Sequence, residues 1–321
     1  MVQHSEQNRL RVALAFTLVY IFWGSTYLGI RIGVEHLPPL VMTGTRFTIA
    51  GSLMLVYCAL RGHGIRISWP QALRLAAIGI LLLTMGNTIL AWAELSVPTG
   101  LAALIVAITP LWMLILETWV FRSTDRVSGA GIAGLFLGFA GLAVLLWPQL
   151  MSTTTIGKRE LLGSLSLLVG SFCWSVGSSL SKRWQKGIDP FSASAWQMLF
   201  SGVTNLLLAL VLGEYAHAVW TRRGVAAIAY LIVFGSWIGF SAFIWLIQHV
   251  PMSKVATYAY VNPVVAVFLG WLVLHERIDG YILAGSAIIV VAVSLVTRAE
   301  VKPHRGKLEE EPLPAVESAG D

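Results

Sequence analysis

Polar side chains recur at helical spacing inside long apolar stretches of the sequence. Tyr258 and Asn262 are four residues apart, and Gln197 and Asn205 are eight apart, so on helices each pair would lie on one face. Hydroxyls and amides buried at membrane depth usually face the interior of a helix bundle or a water-filled cavity. The pattern predicts a solute-binding cavity lined by neutral polar groups. The alternative is close helix packing through small polar residues.

Aromatic and further polar residues extend this pattern to other apolar stretches. Trp23 and Tyr27 are four residues apart, and Asn87 and Glu94 are seven apart. Tryptophans near the ends of membrane spans are often interfacial anchors instead, and that alternative stays open for the four in this set. The predicted substrate-pathway residues are Trp23, Tyr27, Arg46, Asn87, Trp92, Glu94, Trp174, Gln197, Asn205, Trp245, Tyr258 and Asn262.

Three charged residues lie within or near the ends of the apolar stretches. Arg46 has no acidic residue nearby in its own stretch, and a guanidinium there needs a carboxylate, carbonyl groups or water. Glu94 is a geometrically plausible partner, and the alternative is that Arg46 reaches back to the outer membrane interface. Glu94 and Glu117 are the candidates for binding a coupled proton, although Glu117 could equally lie at the interface.

Groups that would support catalysis or metal binding are missing from the sequence. All four aspartates lie outside the apolar stretches or at their ends, and no HExxH, P-loop or GxSxG motif occurs. The two cysteines, Cys58 and Cys173, exclude a disulfide scaffold and a cysteine-ligated cluster. We therefore predict no catalytic residue, no metal, no cofactor and no enzymatic activity.

Composition indicates a protein that resides in the lipid bilayer. The 321 residues are 56% hydrophobic and 12% charged, with a mean hydropathy of +0.75. Soluble globular chains are about 45–50% apolar and about 25% charged, so an ordinary soluble enzyme and a disordered chain are both excluded. The net charge of +6 fits basic cytoplasmic loops better than nucleic-acid binding.

The elements that must position the polar groups are membrane-spanning helices. A bilayer core of about 30 Å is crossed by roughly 20 apolar residues in a helix, which predicts an all-α membrane protein with ten transmembrane helices. The first stretch lacks a clear cleavage site and nine more follow, so we interpret it as a retained helix rather than a signal peptide. The predicted spans are residues 12–30, 40–60, 72–94, 98–120, 128–147, 160–181, 191–212, 224–247, 253–274 and 279–297.

The distribution of positive charge predicts the orientation of the chain. Most of the 22 lysines and arginines fall on the side of the N-terminus, which is therefore expected to be cytoplasmic. Residues 1–11 form the cytoplasmic N-terminus in this interpretation. Residues 298–321 form a polar cytoplasmic tail that is predicted to be disordered.

The two halves of the sequence resemble one another. Residues 12–147 and 160–297 are predicted to be two five-helix repeats, and an odd number of spans places the second upside down relative to the first. Inverted repeats are typical of secondary transporters, although a duplication kept only for stability is the alternative. Pro110 and Pro263 fall mid-span in equivalent positions and are expected to kink their helices. The other matched positions are Trp23 with Trp174, Pro39 with Pro190, Arg46 with Gln197, Trp92 with Trp245 and Pro98 with Pro251.

Four segments form recognisable motifs: residues 23–27 read WGSTY, 44–47 read GTRF, 93–100 read AELSVPTG and 257–267 read TYAYVNPVVAV. These motifs resemble the EamA family of the drug/metabolite transporter superfamily, in particular its YedA-type permeases. The chain departs from the family at His275-Glu276, where Gly-Glu is usual, and the first repeat has no Glu at the equivalent place. The resemblance implies an inner-membrane permease in which spans 1–4 and 6–9 surround the pathway, with spans 5 and 10 outside.

The resemblance also implies export of amino acids, other small metabolites or drugs. We therefore predict a secondary transporter that exports a small-molecule substrate by alternating access. An importer or facilitator of the same fold is the first alternative, and a membrane-embedded enzyme or a sensor is the second. Glycine-lined faces could pack within one chain or between chains, so a homo-oligomer also stays open.

Overall fold

The computed structural model describes residues 2–121, 129–151, 155–250, 255 and 258–299. The secondary structure of this part of the chain is helical, without a strand. Helices lie over each of the ten predicted spans, which confirms the all-α prediction. The predicted tail lies outside the described residues from position 300 onward, as does the start of the ninth predicted span.

The bounds of the helices extend beyond several of the predicted spans. π-helical stretches occur within them at Ile80–Thr88, Leu116–Val120 and Leu231–Phe240. The helices are α1 (Val2–Val34), α2 (Pro39–Leu60), α3 (Trp69–Ala93), α4 (Thr99–Val106 and Thr109–Ile115), α5 (Gly129–Leu150), α6 (Thr155–Trp184), α7 (Pro190–Val211), α8 (Arg222–His249), α9 (Tyr258–Leu274) and α10 (Gly280–Ala299).

Helix starts are specified by local sequence. α2 and α7 each begin on a proline, at Pro39 and Pro190. An N–H group at the first helical position has no partner within the helix, so proline can stand there without losing a hydrogen bond. The carboxylate of Asp189 accepts hydrogen bonds from the backbone N–H groups of Phe191 and Ser192, both at 3.0 Å. This contact satisfies free donors at the first turn of α7.

The outer surface of the helices is strongly apolar. Leu207, Leu210 and Val211 of α7 are all more than half exposed, while Met198 and Asn205 of the same helix are buried. Large apolar patches are unusual on water-soluble monomers. In the part of the chain that the structure describes, six helices are long and apolar enough to cross a membrane: Leu10–Val34, Pro39–Leu60, Trp69–Ala93, Gly157–Trp184, Pro190–Val211 and Arg222–His249. Thr99–Ile115, Val261–Leu274 and Gly280–Ala292 are shorter apolar helices. The chain is therefore a multi-pass membrane protein, while ten complete crossings and their inversion stay predictions.

Several contacts between helices have a counterpart in which the helices of the first half and the second half change places. α2 packs on α7, α4 on α9 and α5 on α10. α1 contacts α8 and α9, and the equivalent helix of the second half, α6, contacts α3 and α4. Shifting each helix number by five reproduces these contacts, as two related five-helix units would.

The contact between α2 and α7 requires glycine on both helices. A Cβ atom on Gly51 would lie 2.6 Å from the backbone nitrogen of Leu199, and a Cβ on Gly202 would overlap the backbone of Thr48. Small residues of this kind let helix backbones approach closely in membranes. This close approach sets the distance between α2, from the first half of the chain, and α7, from the second half.

We expect Gly202→Ala to separate α2 from α7 and to lower the free energy of unfolding by about 1–3 kcal/mol, as overpacking does. Denaturation of the purified protein in detergent measures this change. The matched control is Gly64→Ala, because Gly64 is exposed and has no atom near its Cβ position. Equal stability of the two variants would contradict the close-packing account.

Candidate functional site

A cavity lies inside the bundle between α1, α2, α3, α4, α6, α8 and α9. Its walls include seven of the predicted pathway residues, namely Trp23, Tyr27, Arg46, Asn87, Trp174, Tyr258 and Asn262. The space that the centre of a water molecule can occupy is about 70 Å³. The sequence pattern therefore identified residues from five helices that the fold brings to one place.

Aromatic rings form one wall of the cavity. The ring centroid of Trp23 lies 5.4 Å from that of Trp174 and 5.3 Å from that of Tyr258, both edge to face. Phe243 packs behind Trp23 with a centroid distance of 4.8 Å. Trp23 Nε1 donates a hydrogen bond to the carbonyl oxygen of Gly235 at 3.1 Å, which fixes the indole ring between the two halves. Such a wall suits a flat apolar group.

Arg46 supplies a buried charge to the cavity, and its side chain is 3% exposed. Its Nε donates to Ser236 Oγ at 3.0 Å, and its Nη1 donates to Asn87 Oδ1 at 3.2 Å. Its hydrogen-bond partners are therefore neutral, and Glu94, which the sequence left open as a plausible partner, is not among them. Burial at the cavity also excludes the alternative that Arg46 extends to the surface. Ser236 is not among the residues predicted from the sequence.

Glu94 is fully buried immediately after α3 and outside the cavity lining. Its two carboxylate oxygens have no hydrogen-bond partner within the described residues, although Arg31 Nη1 donates to its backbone carbonyl. Leu90, one turn earlier on α3, does line the cavity. Glu94 is thus a buried carboxylate one helical turn away from the candidate site.

Glu117 has a different environment from Glu94. Arg183 binds it through two contacts, Nη2 to Oε2 at 2.8 Å and Nη1 to Oε1 at 3.0 Å. Ser179 Oγ donates a further hydrogen bond to Oε1 at 3.0 Å. The carboxylate is therefore neutralised by an ion pair between α4 and α6, and it does not line the cavity.

Glu276 makes a contact that the sequence did not indicate. Its carboxylate accepts hydrogen bonds from the backbone N–H groups of Thr99 at 2.7 Å and Gly100 at 3.1 Å. These are free donors at the N-terminus of α4, and Glu276 follows α9 in sequence. The sequence feature that could have predicted this contact is Pro98. It precedes α4 and has no side chain that could bind the free N–H groups, so another residue must supply the acceptor.

The two predicted pathway residues on α7, Gln197 and Asn205, lie outside the cavity. The amide nitrogen of Asn205 donates to the hydroxyls of Thr43 at 3.0 Å and Thr88 at 2.9 Å, and so joins α7 to α2 and α3. Gln197 is fully buried, and its amide has no partner within the described residues. Both face neighbouring helices, which corresponds to the packing alternative.

Two predicted tryptophans also lie outside the cavity. Trp92 is 43% exposed on the outer surface of α3. Trp245 is half-buried, stacks on His249 at 4.3 Å between ring centroids, and lines a separate groove with Arg11 and Trp237. Within the described residues, no cluster of His, Cys, Asp or Glu could hold a metal ion.

The two mid-span prolines sit in unlike surroundings. α4 is interrupted at Ala107 and Ile108, and Pro110 lies in the first turn of the segment that resumes. Pro263 lies inside the continuous helix α9. The interruption therefore occurs in the first half of the chain, beside the cavity residue Val106.

Comparison with known proteins gives concordant matches over most of the chain. The EamA-like transporter family matches twice, over residues 10–147 and 161–298. The inner membrane transporter YedA of Escherichia coli strain K12 is 38% identical over 284 residues, which cover 88% of this chain and 89% of that protein. The transporter YoaV of Bacillus subtilis strain 168 is 24% identical over 90% of this chain and 97% of its own length.

A solved crystal structure shares the fold. It has a TM-score of 0.66 and 21% sequence identity, over 91% of this chain and 99% of the other. At that identity the likeness concerns the fold alone.

The polar contacts of Asn205 should contribute measurably to stability. We expect Asn205→Ala to lower the free energy of unfolding in detergent by at least about 1 kcal/mol, because two hydrogen bonds between helices are worth about 0.6 kcal/mol each in membranes and a small void is added. Thr204→Val is the control, since Thr204 bonds only to Phe200 of its own helix. Two equally stable variants would show that Asn205 does not join the helices.

Proposed function

The chain belongs to the EamA-like transporter family, and we propose that it exports small metabolites, such as amino acids or drugs, across the inner membrane. We further propose that it does so as a secondary transporter, by alternating access. Its relatives are transporters rather than enzymes, so the general role follows from the family. What we propose beyond the family is the class of substrate, the direction of transport and the alternating-access mechanism.

The observation that carries the proposal is the composition of the cavity wall. Trp23 and Arg46 come from the first half of the chain, and Trp174 and Tyr258 from the second. Transporters built from inverted repeats bind their substrates where the two repeats meet. A cavity shared by both halves would be opened to one side or the other when the halves move relative to one another.

Helix irregularities occur at matching places in the two halves and support this motion. The π-helical stretch of α3 contributes Asn87 to the cavity, and that of α8 contributes Gly235. π-helical turns are rare and are frequent at functional sites. Their hydrogen bonding is less regular than that of an α-helix, so these two helices are suited to rearrange around a solute.

A facilitator or an importer of the same fold is the second candidate. Direction depends on the gradients and on the coupled ion rather than on the fold. The positive-charge distribution places both termini in the cytoplasm in this proposal. Glu94 is the proposed coupling carboxylate, because Glu117 is already neutralised by Arg183.

Flux of a mixed amino-acid and metabolite pool in proteoliposomes of the purified protein tests the proposal. We expect flux of at least one pool member that increases when a pH gradient is imposed. Flux that ignores the gradient would favour the facilitator. Absence of flux for every member would count against transport of this substrate class.

The two carboxylates can be separated in the same assay. We expect Glu94→Gln to lose the response to the pH gradient while solute exchange without a gradient persists, because an amide cannot bind and release the coupled proton. Glu117→Gln is the matched control and should respond like the parent protein. A full response of Glu94→Gln to the gradient would exclude Glu94 as the coupling group.

A further inference from the structure

The charge in the cavity indicates which solutes it binds. Among the described residues that line the cavity, Arg46 is the charged one. A buried guanidinium without a carboxylate partner is costly, and a solute that carries a negative group would remove that cost. We propose that the cavity binds small organic anions, in which a carboxylate contacts Arg46 and a flat apolar body packs on the aromatic wall. The inference rests on the proposed function and narrows its substrate class.

The hydrogen-bonding capacity of Arg46 is only partly used. A guanidinium has five N–H donors, and two of them bind Ser236 and Asn87. Nη2 lies beside Gly235, where an added Cβ atom would be 2.6 Å away. Gly235 thereby leaves space for the guanidinium next to the cavity. The free donors match the oxygen atoms of a carboxylate, which Arg binds in a bidentate manner.

Asn87 strengthens the preference for an acceptor group. Its side-chain oxygen accepts a hydrogen bond from Arg46, and its amide N–H groups are available to a solute. Arg46 and Asn87 therefore both offer donors to the cavity. A carboxylate satisfies several donors at once, whereas an ammonium group is repelled by the charge of Arg46.

The aromatic wall by itself would also suit a cation. Rings of Trp and Tyr attract ammonium groups through their π faces. Arg46 opposes that outcome, because two positive charges in one water-poor cavity repel each other strongly. Glu94 would be the compensating acid for a cation, but it lies outside the lining. Cation binding is thus the rival outcome of the test.

Four matched compounds separate these outcomes. Phenylalanine carries both charges, 3-phenylpropanoate lacks its ammonium group, phenethylamine lacks its carboxylate, and 3-phenylpropanamide is neutral. Their dissociation constants can be measured with the purified full-length protein in detergent by ligand-induced thermal stabilisation. We expect 3-phenylpropanoate to bind at least about 30-fold more tightly than its amide, as expected when one partner of a buried charged hydrogen-bonded pair is removed.

Substitutions can show whether Arg46 causes the tighter binding of the anion. Arg46→Gln should abolish the difference between 3-phenylpropanoate and its amide, while the exposed Arg74→Gln should retain it. Gly235→Ala provides a second variant that keeps the charge but displaces the guanidinium, and it should weaken binding of the anion more than that of the amide. This variant keeps the test valid if Arg46→Gln does not fold.

Three results would overturn the inference. They are the absence of 3-phenylpropanoate binding, equal or tighter binding of phenylalanine or phenethylamine, and an anion preference that persists in both Arg46→Gln and Gly235→Ala. Transport of phenethylamine or phenylalanine in proteoliposomes, independent of Arg46, would retain the proposed transporter and reject the anionic substrate. The two proposals can therefore fail separately.

Discussion

A charged group inside a membrane protein must be compensated, because lipid offers no water to solvate it. Arg46 is nearly fully buried, and its hydrogen bonds reach Ser236 on α8 and Asn87 on α3. These two partners lie on the π-helical stretches of opposite halves of the chain. One desolvated guanidinium thus connects three helices at the place where the halves meet, and it leaves donors unused beside the cavity.

The helices and much of the cavity follow from the sequence. Apolar length located the helices. Trp23 with Tyr27, and Tyr258 with Asn262, share a helix face by their i, i+4 spacing, and both pairs line the cavity. The matched positions Trp23 and Trp174 carry two rings in direct contact. Spacing along the chain is a property of the linear sequence, so these positions could be named from it.

The contacts between helices could not be predicted in the same way. Spacing shows which residues share a face, but the rotation of one helix against another is decided by packing. The sequence therefore left Glu94 as a plausible partner of Arg46, whereas the hydrogen bonds of Arg46 go to Ser236 and Asn87. The same reason explains why Gln197 and Asn205 face neighbouring helices, and why the ion pair between Glu117 and Arg183 was not expected.

The central claim is that the cavity between the halves is a pathway that opens to each side of the membrane in turn. Val106→Cys, in a chain whose Cys58 and Cys173 are replaced by alanine, places one thiol in the cavity lining. Its reaction with a membrane-impermeant thiol reagent can be measured in right-side-out and inside-out vesicles. Alternating access predicts labelling from both faces, with the rate altered by a transported solute. Labelling from one face alone, under every gradient and solute condition, would contradict the account.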